Sequence, residues 1–146
     1  MKISILFLLF VCTGCHKYYV NVQKQHVGRS SLASTFVQSP DPLQQNPPKG
    51  ERLVINWRLP QHAMGPSLTL KLNLILKDYT QLTKTFPIDK RFGYITYDLL
   101  DEEYRQSGGL LTYKAEIETE GAILETYEQV LWTELIDPPY IDYDGI

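Results

Sequence analysis

Cysteine is almost missing from this 146-residue chain: it has two, Cys12 and Cys15, both within the first fifteen positions. The body of the protein therefore has no disulfide framework and must hold together through a packed core. Basic clusters are missing as well. Fourteen Lys and Arg face 17 Asp and Glu, for a formal charge of -3, and no run interleaves aromatic with basic residues. That argues against a nucleic-acid partner, which needs a cationic surface for phosphates. His16, His26 and His62 stand apart, with no second ligand at metal spacing, so each reads as a solvated or hydrogen-bonding histidine and no metal is expected. Gly-x-Ser-x-Gly, phosphate-cradling loops and dinucleotide fingerprints do not occur, and no cofactor is expected.

Long apolar runs are the next absence. Ile3 to Val11 is interrupted only by Ser4, but it falls well short of the roughly 20 residues that span a bilayer as a helix. Lys2 before this run, with Thr13 and Gly14 after it, gives the order of a secretory signal peptide over residues 1–14. Cys12-Thr13-Gly14-Cys15 resembles the bacterial lipobox, although Cys12 stands where that family usually has Leu. The resemblance implies that Cys15 becomes the lipidated first residue of the mature chain. Two or three fatty chains on one thiol make a lasting anchor, so the membrane is the expected partner at that end. His16 in place of an Asp then implies the outer membrane.

Residues 15–50 read as the lipidated N-terminus followed by a Pro-rich tether or edge segment. Tyr18 to Val22 can begin a strand, and Ser31 to Val37 can form another. Four prolines between Ser39 and Gly50 exclude a helix or central strand there. The run SLASTFVQSPDPLQQNPPKGERLVINWRLP resembles a stretch found in uncharacterised lipoproteins of chlamydia-like bacteria, a group that brings no activity with it.

From Glu51 the pattern has a period of two. Leu53, Ile55, Trp57 and Leu59 alternate with Arg52, Val54, Asn56 and Arg58 until Pro60 stops the strand. Leu68, Leu70, Leu72, Leu74 and Leu76 then share one face, which only a strand can achieve, and they form the expected centre of the core. Arg91 to Leu99 alternates similarly. Asp98 or Asp101 is expected to cap a helical turn through DEEYRQ, ended by Gly108 and Gly109. Leu110 to Thr119 and Ile123 to Ile136 form a final hairpin about Glu120-Gly121, with Leu111, Tyr113, Ala115 and Ile117 on one face and Lys114, Glu116 and Glu118 on the wet one.

Strands without helical periodicity make the chain all-β: an antiparallel immunoglobulin-like β-sandwich over residues 51–136 with a short helical turn, followed by an acidic Pro/Tyr tail, 137–146. LVINWRLP resembles the tryptophan-bearing second strand of fibronectin type III domains. GGLLTYKAEIETEG is similar to the next-to-last strand of immunoglobulin-like folds. The resemblance implies a core role for Trp57 and a tyrosine corner at Tyr113.

Ten tyrosines exceed what a core of this size requires. Tyr140 and Tyr143 in the acidic tail are the candidate contact residues, since tyrosine offers flat amphipathic area at small entropy cost. The leading expectation is a non-enzymatic envelope lipoprotein that binds or assembles with an envelope protein; its small-molecule ligand, if any, is not specified by the sequence. The alternatives are a carbohydrate-binding module using exposed tyrosines, or a small hydrolase using Asp101-Glu102-Glu103 or Glu116, Glu118 and Glu120.

Overall fold

The computed structural model describes residues 17–65 and 67–133. Cys12, Cys15, Tyr140 and Tyr143 lie outside them. The period-two segments become strands: β1 (Tyr19–Val27), β2 (Gly50–Arg58), β3 (Leu68–Leu76), β4 (Gln81–Pro87), β5 (Phe92–Leu100), β6 (Leu110–Thr119) and β7 (Ala122–Glu128). Two short helices accompany them, α1 (Ala33–Val37) and α2 (Asp101–Ser107). The strands form two sheets, β1-β2-β5 and β4-β3-β6-β7, with every pairing antiparallel. The protein is an all-β, immunoglobulin-like antiparallel β-sandwich.

The core lies between the sheets. Leu53, Ile55 and Trp57 of β2, with Val20 and Val22 of β1, face the five leucines of β3, and Ala115 and Ile117 of β6 complete the layer. Each buried aliphatic side chain contributes roughly 1.5–3 kcal/mol before entropy is counted. Trp57 is a core residue, as its strand position implies, and its indole N–H donates to the Lys90 carbonyl at 3.0 Å. Gly93 sits directly opposite it on β5 because only a bare Cα fits: a Cβ there would lie 2.8 Å from the Trp57 ring.

Five sequence expectations need correction. Ser31 to Val37 is not a strand; Ala33–Val37 is a helical turn. β1 and β2 pair with each other from Tyr19↔Arg58 to Val27↔Gly50, so the connection between them leaves and returns at neighbouring positions at one end of the sheet. Local bonds fold it instead: Thr35 Oγ1 donates to the Arg29 carbonyl, and Asp41 accepts from Ser34 Oγ and the Leu43 amide. Those two bonds, the Ser34 one foremost, lower the Asp41 pKa.

Neither Asp98 nor Asp101 caps α2. Its N-cap is Leu100, while Asp98 pairs with Arg52 and Asp101 accepts the Lys49 amide from the preceding connection. Gly108, left-handed at φ 74, ends the helix as expected. The phase of β6 also differs at its start. The register with β3 skips from Thr112 to Leu110, and this bulge turns Leu110 into the core and leaves Leu111 38% exposed.

The last arm is shorter than its apolar pattern: β7 ends at Glu128, and Val130 and Leu131 are exposed. Its hairpin turn is where the sequence places it, with Glu120 and Gly121 both at positive φ, 49 and 81. Finally, β4 has no counterpart in the sequence reading. It is an edge strand whose residues are mostly exposed, so its apolar signal is thin.

Candidate functional site

Three constellations concentrate the chemistry among the described residues. The first is a knot at one pole of the sandwich. Glu51, whose side chain is 2% exposed, receives Lys24 Nζ from β1 at 2.9 Å on Oε1 and the Leu110 amide of β6 at 2.7 Å on Oε2. Lys24 also donates to the Leu110 carbonyl at 3.3 Å. Every strong donor around this carboxylate is internal, and it serves to join both sheets.

The second lies on the outer face of the four-stranded sheet. Glu116 was expected to be solvated but is only 6% exposed. It accepts from Asn73 Nδ2 at 3.0 Å and pairs with Lys114 at 3.2 Å, while Thr83 Oγ1 donates to Asn73 at 2.9 Å. Trp132 covers this network, with the Lys114 ammonium 5.3 Å from its ring centre. Burial of a carboxylate on the outer face follows from that indole lid, which follows β7 and which no alternation pattern reveals. Glu116 and Glu118 do line one groove, of about 400 Å³. Each is engaged by a lysine, Glu118 by Lys71 at 3.7 Å. Asp101, Glu102 and Glu103 start α2 at the opposite end of β6, and Glu102 is held by Arg105 and Gln106.

The third is on the outer face of the three-stranded sheet, where β1 begins, β2 ends and β5 begins. Cross-strand register sets Tyr19, Arg58 and Phe92 side by side in one row, with Asn21, Asn56 and Tyr94 in the next. Tyr19 is 48% exposed, and Phe92 and Tyr94 are each 70% exposed. Lys17, Arg58 and Arg91 accompany them around an open groove of about 760 Å³, and no carboxylate lines it. Across β1, β2 and β5 the only acidic residues are Glu51, in the knot, and Asp98. Asp98 is held by Arg52 through two bonds of 2.5 and 2.7 Å, which raise the arginine's pKa further.

Sequence reasoning missed this platform. Phe92 and Tyr94 were visible as alternating residues of one strand, but their meeting with Tyr19 and Arg58 depends on register between distant segments. Of the predicted residues, Cys15, Tyr140 and Tyr143 lie outside the described chain. Tyr113 is 7% exposed and stacks on Tyr127 at 6.3 Å with planes 8° apart. Among the described residues its hydroxyl makes no backbone bond of the tyrosine-corner kind. Burial, then Tyr127 and Glu51, raise its pKa. His62 is not isolated: Tyr18 packs edge-on against it, with ring centres 6.1 Å apart and Tyr18 Oη 3.4 Å from its Nε2. No group of three or more His, Cys, Asp or Glu side chains able to hold a metal ion occurs among the described residues.

No family model matches the chain, and no curated protein does. A crystal structure of a protein from Akkermansia muciniphila is similar at 16% identity and a TM-score of 0.46, covering 80% of this chain and 73% of that one.

Proposed function

We propose that this chain is a lipid-anchored envelope protein of the bacterial outer membrane, acting as a non-enzymatic binding or assembly module. Residues 1–14 are its signal peptide and Cys15 carries the lipid. The aromatic and cationic platform of β1, β2 and β5 is its working face. The observation that carries the reading is that platform: three exposed aromatic rings and three cations around one groove without a carboxylate, on a protein whose formal charge is -3. Exposed aromatic area with arginine is the composition of binding surfaces, and its charge selects an anionic partner.

Intact-mass analysis of the membrane form, with a Cys15→Ser control, tests the anchor. A photoreactive phenylalanine analogue in place of Tyr94, introduced in living cells, tests the face. Adducts to envelope material are expected at position 94 and not at Thr85 on the other sheet. Equal labelling at the two positions refutes the platform.

A carbohydrate-binding module is the second reading, favoured by the open, flat setting of Tyr19, Phe92 and Tyr94, on which sugar rings stack. Tyr140 and Tyr143 of the acidic tail belong to that reading as additional aromatic contacts. A glycan array without signal eliminates it.

A further inference from the structure

We infer that the platform is the membrane-facing surface of the protein, and that its partner is the anionic headgroup layer of the bilayer in which the chain is anchored. The inference rests on the lipid-anchor reading above and adds an orientation to it. Lys17, which lines the groove, stands two positions after Cys15, and two residues of fully extended chain span at most about 7 Å. No spacer intervenes within the described residues: Tyr18 is packed on His62, and β1 pairs with β2 from Tyr19 onward. A lipid on Cys15 therefore holds this pole of the sandwich at the bilayer surface and leaves little freedom to turn another face toward it.

The chemistry at that pole suits the position. Tyrosine rings concentrate at the membrane–water interface, where an apolar body and a polar tip are both accommodated. Arg58, Arg91 and Lys17 meet anionic headgroups with no competing carboxylate in the groove. Each such cation favours an anionic surface by about fivefold. The four-stranded sheet lacks this cationic excess: Lys71, Lys84 and Lys114 are set against Glu116, Glu118, Glu125 and Glu128, and two of those carboxylates are already paired with lysines. The pull toward an anionic bilayer therefore comes from the platform side of the protein.

The test uses the processed, full-length lipoprotein purified from membranes, its acylation verified by intact mass, and reconstituted into vesicles of phosphatidylglycerol and phosphatidylethanolamine. In that form Cys12 has been removed and the Cys15 sulfur is blocked, so a nitroxide on Thr96→Cys or Thr85→Cys is unique. Collision rates with oxygen and with a water-soluble nickel complex report depth. The oxygen-to-nickel ratio is expected to be several-fold higher at position 96 than at 85. It should fall toward the position-85 value in Arg58→Glu/Arg91→Glu, with tryptophan emission confirming the fold, and in vesicles of phosphatidylcholine alone. Equal ratios in acylated protein overturn the inference and leave the anchor standing. Protection of position 96 by a soluble envelope glycan in place of lipid also overturns it. Absence of added mass on Cys15 removes the anchor reading and the orientation with it.

Discussion

Replacing Glu51 probes the join between the two sheets most directly. In Glu51→Ala the Leu110 amide, now bonded at 2.7 Å, loses its acceptor in a site only 2% exposed. An unsatisfied buried N–H costs about 1–3 kcal/mol. Lys24 loses its partner too, but its side chain is 30% exposed and recovers water, so that loss adds only about 1 kcal/mol. The expected destabilisation is about 2–4 kcal/mol, a large fraction of the roughly 5–15 kcal/mol that holds an ordinary domain together. At roughly 4 °C per kcal/mol for a domain of this size, the midpoint should fall by on the order of 10 °C. Glu51→Gln keeps a carbonyl oxygen for the amide and gives up only the charge, so its cost should be near 1 kcal/mol. Urea titration followed by tryptophan fluorescence measures both variants. If Gln is as damaging as Ala, the amide acceptor is not what matters and the reasoning fails.

Other perturbations separate packing from charge. Leu72→Ala, at a position with no exposure, should cost about 2–5 kcal/mol in the same titration. Gly93→Ala must push the Trp57 ring aside, costing about 1–3 kcal/mol and shifting the indole emission, whereas unchanged emission would mean the ring is not in contact. The raised Tyr113 pKa implies alkaline sensitivity, because the folded state keeps a proton that the unfolded chain releases near its ordinary value of about 10. The contribution is complete below that pH and is lost as pH rises through the folded value. Tyr113→Phe should flatten the decline in stability above pH ~10, measured by thermal melts across that range.

The strands announced themselves wherever one face was apolar and the other wet. The leucine ladder of β3 and the Leu53-Ile55-Trp57 series of β2 could be read without structure because a period of two has a single geometric meaning. β4 escaped since an edge strand buries little. Leu111 was assigned inward because a bulge inserts one residue and reverses the phase beyond it, and nothing in LLTYK marks the skip. Glu116 looked solvated because a carboxylate on an outer face ordinarily is; its burial depends on Trp132, sixteen positions away in a network that only the folded chain assembles. The platform shares that limitation. Tyr19, Arg58 and Phe92 are neighbours through two ladders, and register is a property of the sheet.

The β4 edge carries a final consequence. Its sequence, QLTKTFP, puts Lys84 mid-strand and closes with Pro87, while its other side is fully occupied by β3. An exposed lysine, which an added strand would have to cover, and a missing amide donor both penalise the approach of a foreign strand. Even where many copies crowd together, stacking one sandwich onto the next into a continuous ribbon is disfavoured at this border.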